Sequence, residues 1–288
     1  MRILFASILL LVISSIAFAQ DSDRVLTRVK YSFTHIQDTT KKNQPYTENM
    51  VLLVGKNASL YISYDKVNQI IEGRKQQEKM KLQAGTGTLT FKGYKMSSQT
   101  DYYYFIKENK FFTKERLVSD YLIEEEAPKI NWKITKETRN FSGVHCQKAT
   151  ANFKGRNWIV WFAPDMPFQS GPWKLNGLPG IIIDAYDQSG TVKFQFTGIE
   201  DTSVATDNLA LYSGNEVKLP LKIMKASLKD MEKLKDAYAK DPQGFMKTQS
   251  GGGSSMVITG YSTSPSAPIA EKDRFVFNNP LELPEKNK

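Results

Sequence analysis

The chain is poor in the residues that usually advertise chemistry, with one cysteine and two histidines among 288 residues. A lone Cys146 cannot close an internal disulfide, so the fold has to rest on a buried apolar core. A structural zinc site takes four ligands and a catalytic one three. His35, His145 and Cys146 would therefore need carboxylates from elsewhere, and neither a metal nor a cofactor is expected. Cys146 reads as a small buried hydrophobe, and His35, in step with Val29, Tyr31 and Phe33, as a histidine at the edge of a core. Clustering of positive charge is also missing. The net charge of +9 would draw nucleic acid, anionic lipid or acidic glycans, yet the lysines are scattered. Nucleic-acid binding needs basic residues interleaved with aromatics on one platform, so it is not expected, while peripheral membrane contact stays open.

Long apolar runs are absent too, except at the N-terminus. Arg2 is followed by the apolar stretch Ile3 to Ile16 and then by Ala17-Phe18-Ala19. A basic residue, a short apolar segment and a small-x-small site make a secretory signal peptide, and the run falls short of the roughly 20 residues of a bilayer span. Cleavage after Ala19 would start the mature chain at Gln20. No cysteine follows, so no lipid anchor is expected, and the mature protein should be periplasmic or secreted. Residues 20–288 read as one β-rich domain, with a flexible segment near 249–268 where "SGGGSS" and "STSPSAP" are rich in Gly, Ser and Pro.

What the sequence has in quantity is alternation. "VLTRVKYSFTHIQ" from Val25 places Val29, Tyr31 and Phe33 on one side and Lys30, Ser32 and Thr34 on the other, the period of a half-buried strand. "NMVLLVG", "SLYISYD", "DYYYFIKENKFFTKERLV", "YLIEEE", "NWKITKET", "HCQKATANF", "RNWIVWFA", "GIIIDAYD" and "TVKFQFTGIE" continue the series. Short connections between successive strands favour antiparallel pairing. The predicted fold is mainly β (α+β): a curved antiparallel sheet of half-barrel type with one or two helices packed on it. Asp65 to Leu82 reads as a short helix interrupted by Gly73. Ser227 to Lys240 reads as a better one, with Ser227 and Asp230 as a capping box and Asp241-Pro242 as its end.

One connection stands apart from these turns. In "FAPDMPFQSGPWKLNGLPGIIID", Phe162 to Asp184, Pro164, Pro167 and Pro172 hold their predecessors extended, and Leu178-Pro179-Gly180-Ile181 matches a type II turn with Gly180 at positive φ. The segment reads as a stiff arch with an apolar underside formed by Trp173 and Leu175. It has no nucleophile beside a base and no phosphate-cradling glycine pattern.

The stretch "WFAPDMPFQSGPWKLNGLPGIIIDAYD" resembles the GLPGLI family of exported proteins of Gram-negative bacteria, with Gly177, Leu178, Pro179, Gly180, Ile181 and Ile182 standing at the motif and Ile181 where the family name has Leu. "CQKATANFKGRNWIVWF" and the terminal "FNNPLEL" look like the family's flanking features. The resemblance implies an exported protein of this length and carries no established activity.

Other motifs are weaker. Ser63-Tyr64-Asp65-Lys66 matches the Ser-x-x-Lys of penicillin-recognising enzymes but lacks a Lys-Thr-Gly partner, and "GTGTLT" from Gly85 lacks the strand-turn-helix setting of a nucleotide loop. Two functions stay open. The first is a non-catalytic binding or accessory protein of the cell envelope, with Trp158, Trp161 and Trp173 bordering a face for an apolar ligand or for a partner such as an outer-membrane transporter. The second is a hydrolase with carboxylates at Asp165, Asp184 and Asp187. A cavity without convergent ionisable groups favours binding, and a polar cleft joining those carboxylates favours catalysis.

Overall fold

The computed structural model describes residues 22–82, 97–201, 207–249 and 276–285. In chain order they form β1 (Asp23–Arg24), β2 (Thr27–His35), β3 (Tyr46–Val54), β4 (Ala58–Ser63), α1 (Tyr64–Leu82), β5 (Thr100–Phe105), β6 (Lys110–Arg116), β7 (Asp120–Glu126) and β8 (Lys133–Phe141). Then come β9 (Val144–Phe153), β10 (Arg156–Ala163), β11 (Ile181–Asp187), β12 (Val192–Asp201), α2 (Asn208–Ser213), β13 (Glu216–Val217), β14 (Met224–Ala226), α3 (Leu228–Lys240) and α4 (Pro242–Gln249). Twelve strands make one open sheet in the order β14-β7-β6-β5-β4-β3-β2-β12-β11-β10-β9-β8. The small β1–β13 pair stands beside it. Neighbours pair antiparallel except β14, which runs parallel to β7, so the sheet is mixed where a wholly antiparallel one was expected.

Both faces of the sheet's middle are covered, which explains why "NMVLLVG" reads as a continuous apolar run instead of alternating. Directly paired residues share a face. One face carries Trp158, Val160, Ala185, Phe194, Tyr31, Leu52 and Tyr61 in a single core with Trp173, Leu175 and Leu178 of the connection between β10 and β11. The opposite face carries Val51, Leu53, Leu60, Ile62, Tyr103 and Phe112, closed by Val67 and Ile71 of α1, Leu209 of α2 and Val217 of β13.

The helices differ from expectation in number. Among the described residues there are four, and α1 continues through Gly73 over 19 residues, because Val67 and Ile71 are buried on the sheet and tertiary packing outweighs the roughly 1 kcal/mol propensity penalty of one glycine. The predicted capping box of α3 is present, with Ser227 and Asp230 each satisfying the other's backbone N–H. Its Met231 packs on Tyr121 and Ile123 of β7. Pro242 opens α4 where it was expected only to end a helix. At a first helical position the missing N–H costs nothing. Apart from Gln249, the segment 249–268 lies outside the described residues, as do Gly85 and residues 1–19.

Candidate functional site

The arch after β10 is built by close backbone approach. β10 and β11 pair with a one-residue register shift between Trp161 and Phe162, a bulge that re-aims the chain as it leaves Ala163. Met166 N–H donates to the Ala163 carbonyl at 3.1 Å, and Met166 C=O then accepts from Phe168 at 2.7 Å and Ile181 at 3.0 Å. Ile182 N–H reaches Ser170 C=O at 2.9 Å, and Tyr31 Oη donates to Ile182 C=O at 2.6 Å. The predicted type II turn is not there. Positive φ belongs to Trp173 (φ 55) and Gly177 (φ 85), and Gly180 is not among the positive-φ residues. Gly180 is required for space. A Cβ there would fall on the Ala163 carbonyl, 2.6 Å from its carbon and 3.0 Å from Pro164 Cα.

Trp173 is a bulky side chain on left-handed backbone, a conformation that costs about 1–3 kcal/mol. Burial holds it. Its ring lies 5.6 Å from Trp158 and 5.7 Å from Phe153, and the residue is 3% exposed. The next residue bolts the arch down. Lys174 is buried, and its Nζ meets Glu125 of β7 at 3.0 Å and Glu282 at 3.1 Å. Trp132 Nε1 donates to Asn176 C=O at 2.8 Å. A space of about 10 Å³ remains beneath, lined by Tyr61, Tyr102, Phe111 and Trp173 among others, enough for one water at most.

At the far end of β10 a second construction gathers residues from distant parts of the chain. Arg156 is buried with all five of its N–H donors engaged. Nε donates to Leu281 C=O at 2.8 Å. One terminal nitrogen donates to Asp187 Oδ2 at 2.7 Å and Thr191 Oγ1 at 3.1 Å, and the other to Asn279 Oδ1 at 2.7 Å and Pro280 C=O at 2.6 Å. Burial alone would raise the Asp187 carboxyl, but hydrogen bonds from Ser189, Val192 N–H and Thr191, with the Arg156 charge, hold it below its ordinary range. Residues 276–285 lie across this node as a strap. Asn279 C=O accepts from His35 Nε2 at 2.8 Å, Asn279 Nδ2 donates to Ile36 C=O at 2.7 Å, and Leu283 N–H donates to Lys154 C=O at 3.1 Å. Burial keeps His35 neutral by pushing its pKa down, with Arg156 acting in the same direction against the Asn279 carbonyl and Asp187. Beside the node opens a cleft of about 410 Å³, where Arg156, Asp187 and Leu283 line the wall together with Asn157, Gln188 and Ser189.

The residues singled out from sequence are distributed as follows. Trp158, Trp161 and Trp173 are 0%, 8% and 3% exposed, so the chain itself already covers the face they were expected to border. Trp158 and Trp173 pack together under the arch, while Trp161 lies on the opposite side of β10, against Phe141 at 5.9 Å and across from Asp184. Within the motif, Leu178, Ile181 and Ile182 are buried, and Gly177 and Pro179 are exposed. The three carboxylates do not converge. Asp165 is exposed, 3.9 Å from His145 Nδ1. Asp184 accepts from Phe196 N–H at 3.0 Å, and its carboxyl is raised by burial against the lowering pull of that hydrogen bond and of Arg139. Asp187 belongs to the Arg156 node. Asp184 and Asp187 stand three apart on one strand and so point to opposite faces.

Two further groups lie in the polar interior. Ser63 Oγ donates to Glu48 and accepts from Lys66 N–H at 2.9 Å. Lys66 Nζ pairs instead with Asp101, so Ser63 and Lys66 do not form a nucleophile and base. Asp101 is shared with Lys114 at 3.3 Å, which also meets Asp120 at 3.2 Å. Among the described residues no group of three His, Cys, Asp or Glu side chains is placed to hold a metal ion. The residues that sequence reasoning missed are Arg156, Lys174 and Asn279. The available signal was a charged residue at the head of the apolar run "RNWIVWFA" and another between Trp173 and Leu175.

No protein-family model matches this sequence, and no curated protein does. Solved structures of PNGF-II in space groups P21 and C2 resemble it at 12% and 14% identity, with TM-scores of 0.48 and 0.47. The likeness covers 73% and 72% of this chain and 32% of each of those chains, so the chain spans about a third of the length of the structures it matches.

Proposed function

We propose that this protein is an exported, non-catalytic binding or accessory protein of the cell envelope, of the GLPGLI family that its arch resembles, and that it docks a partner such as an outer-membrane transporter. One observation carries this reading: Arg156, Lys174 and the group around Lys66 and Asp101 have their charged partners inside the protein. Arg156 has no free donor, Lys174 joins two glutamates, and Lys66, Asp101, Lys114 and Asp120 form one network. A general acid or base needs a proton partner in the substrate, and these groups have theirs in the protein. An apolar ligand on the aromatic face would first require the arch to lift. A partner at the surface needs no such change. The cleft beside Arg156, lined by Asp187 and Leu283 as well as by amides and hydroxyls, is the docking surface that we assign to this role.

The test is a photo-crosslinking residue at Gln188 on the cleft rim, in cells exporting the protein, with the same residue at Lys107 as control. An adduct with an envelope protein at 188 and none at 107 is the expected result. No adduct at 188, or equal adducts at both positions, refutes the docking surface. The intact mass of the exported chain is expected to begin at Gln20 without an acyl group.

A further inference from the structure

The strap is held as a ligand is held. Residues 276–285 form no helix or strand, and they attach mostly through backbone groups and Asn279, with Asn278 Oδ1 accepting from Thr39 N–H at 2.9 Å, Glu282 meeting Lys154 and Lys174 at 3.1 Å each and Leu281 packed on the core. Asn278 and Asn279 N–H donate to Gln37 C=O at 3.2 Å each. Asn279 uses its carbonyl on His35, its side-chain oxygen on Arg156 and its side-chain nitrogen on Ile36. The carbonyls of Pro280 and Leu281 take two more Arg156 donors. The groove is also shaped for close approach: at Gly155 (φ 68) a Cβ would come within 2.7 Å of Leu283 Cβ and of its carbonyl oxygen. Main-chain capture of an extended segment, with one side chain read in detail, is how peptide-recognition grooves work. The receptor half also keeps contacts of its own: Arg156 is held by Asp187 and Thr191, and His35 ends a paired strand.

From these contacts we infer that the groove formed by His35, Ile36, Gln37, Lys154, Gly155 and Arg156 is a peptide-binding site. The chain's own C-terminal segment is its resident occupant, and an extended Asn-Pro-containing segment of another polypeptide can replace it. Asn-Pro suits the site chemically. The asparagine supplies both the acceptor for Arg156 and the donor for Ile36, and proline at the next position has no N–H to leave unpaired while its carbonyl faces the guanidinium. The strap joins the rest of the fold through residues 250–275. A tethered segment rebinds intramolecularly, so a competitor succeeds when the tether is cut or when it is abundant. The inference rests on the reading of the protein as a binding protein, but its test uses purified components and can fail without touching the crosslinking result.

The experiment inserts a protease site after Gly253, folds the full chain, cuts it, and adds a fluorescent peptide of residues 276–285. Anisotropy is expected to report saturable exchange with the cut strap. A peptide carrying Asn279→Ala is expected to bind at least tenfold more weakly, and cut protein carrying Arg156→Lys to lose affinity for the unaltered peptide. Circular dichroism follows the fold throughout. No exchange under excess peptide, equal binding of the Asn279→Ala peptide, or unfolding of the cut protein as its strap leaves would each overturn the inference, the last because the strap would then be core and not ligand.

Discussion

Three glycines test the account, two in the arch and one in α1, because a methyl group meets a different setting at each. Gly180→Ala places a methyl group on backbone atoms that cannot rotate away, 2.6 Å from Ala163 C and 3.0 Å from Pro164 Cα, where carbon atoms normally rest about 3.5–4.0 Å apart. Relief requires the start of the arch or the end of β10 to shift by roughly 1 Å. That shift strains the Met166 and Ile181 hydrogen bonds and the Phe162–Ile182 pairing. Overpacking of this kind costs about 1–3 kcal/mol, occasionally more, and rigid neighbours on both sides put this site near 3. For a chain of this size 1 kcal/mol moves Tm by roughly 2–4 °C, so a fall of about 6–12 °C is expected. Gly177→Ala meets no atom within 4 Å and costs only its left-handed backbone, about 1 kcal/mol. Gly73→Ala, in open space within α1, should stabilise by about 0.5–1 kcal/mol. Differential scanning calorimetry of the three variants reads the order directly. A Gly180→Ala fall no larger than that of Gly177→Ala would refute the steric account.

Three other outcomes follow from the buried polar groups. His35 has a folded pKa below its unfolded value, so the unfolded chain binds the extra proton. Its contribution is present above the unfolded pKa of about 6.5 and lost as pH falls from there toward the folded value. Denaturant midpoints should therefore drop between pH 7.5 and 5.5, and His35→Gln should remove that slope while sparing the fall at lower pH, where Asp187, held low, is protonated. Lys66→Met leaves Asp101 buried with Lys114 alone and should cost about 3 kcal/mol in urea unfolding; a loss under 1 kcal/mol would mean that Lys114 suffices. Cys146 is wholly buried, and its thiol is pushed up to about 12 by burial and by Asp184. Native protein should therefore resist maleimide for hours and react at once in denaturant; fast native labelling contradicts the burial.

The strands were legible because their faces differ in polarity, and Tyr31, Phe33 and Phe194 sit on one face as alternation requires. The capping box of α3 was legible because Ser227 and Asp230 act within one turn. Gly180 was placed in a turn because Pro-Gly has a local explanation. Its actual reason, the Ala163 carbonyl, comes from a strand end 17 residues earlier that no local pattern identifies. Trp161 posed the same difficulty in reverse. Trp161 was expected to border one face with Trp158, but period two sets the two on opposite sides of β10, and what covers Trp161, Phe141 of the edge strand, depends on a strand order that the sequence does not express.

Charged residues inside the core mark where local reading ends. Arg156 begins a strand that is apolar from Trp158 onward, and from sequence alone it is an ordinary strand end facing water. Its burial is tolerable only because Asp187, 31 residues on, and Asn279, 123 residues on, arrive with their acceptors already oriented. Removing the strap would leave three of its donors unpaired, at about 1–3 kcal/mol for each buried group left unsatisfied. The arch is coupled to the same segment through Lys174 and Glu282. The stretch "CQKATANFKGRNWIVWF", the arch and the terminal "FNNPLEL" are thus one physical unit. β9 and β10 form the floor, the arch forms the cover, and "FNNPLEL" ties the two together at Arg156. A sequence comparison that scores the arch alone captures the cover without the groove, and it is in the groove that this fold holds a polypeptide segment.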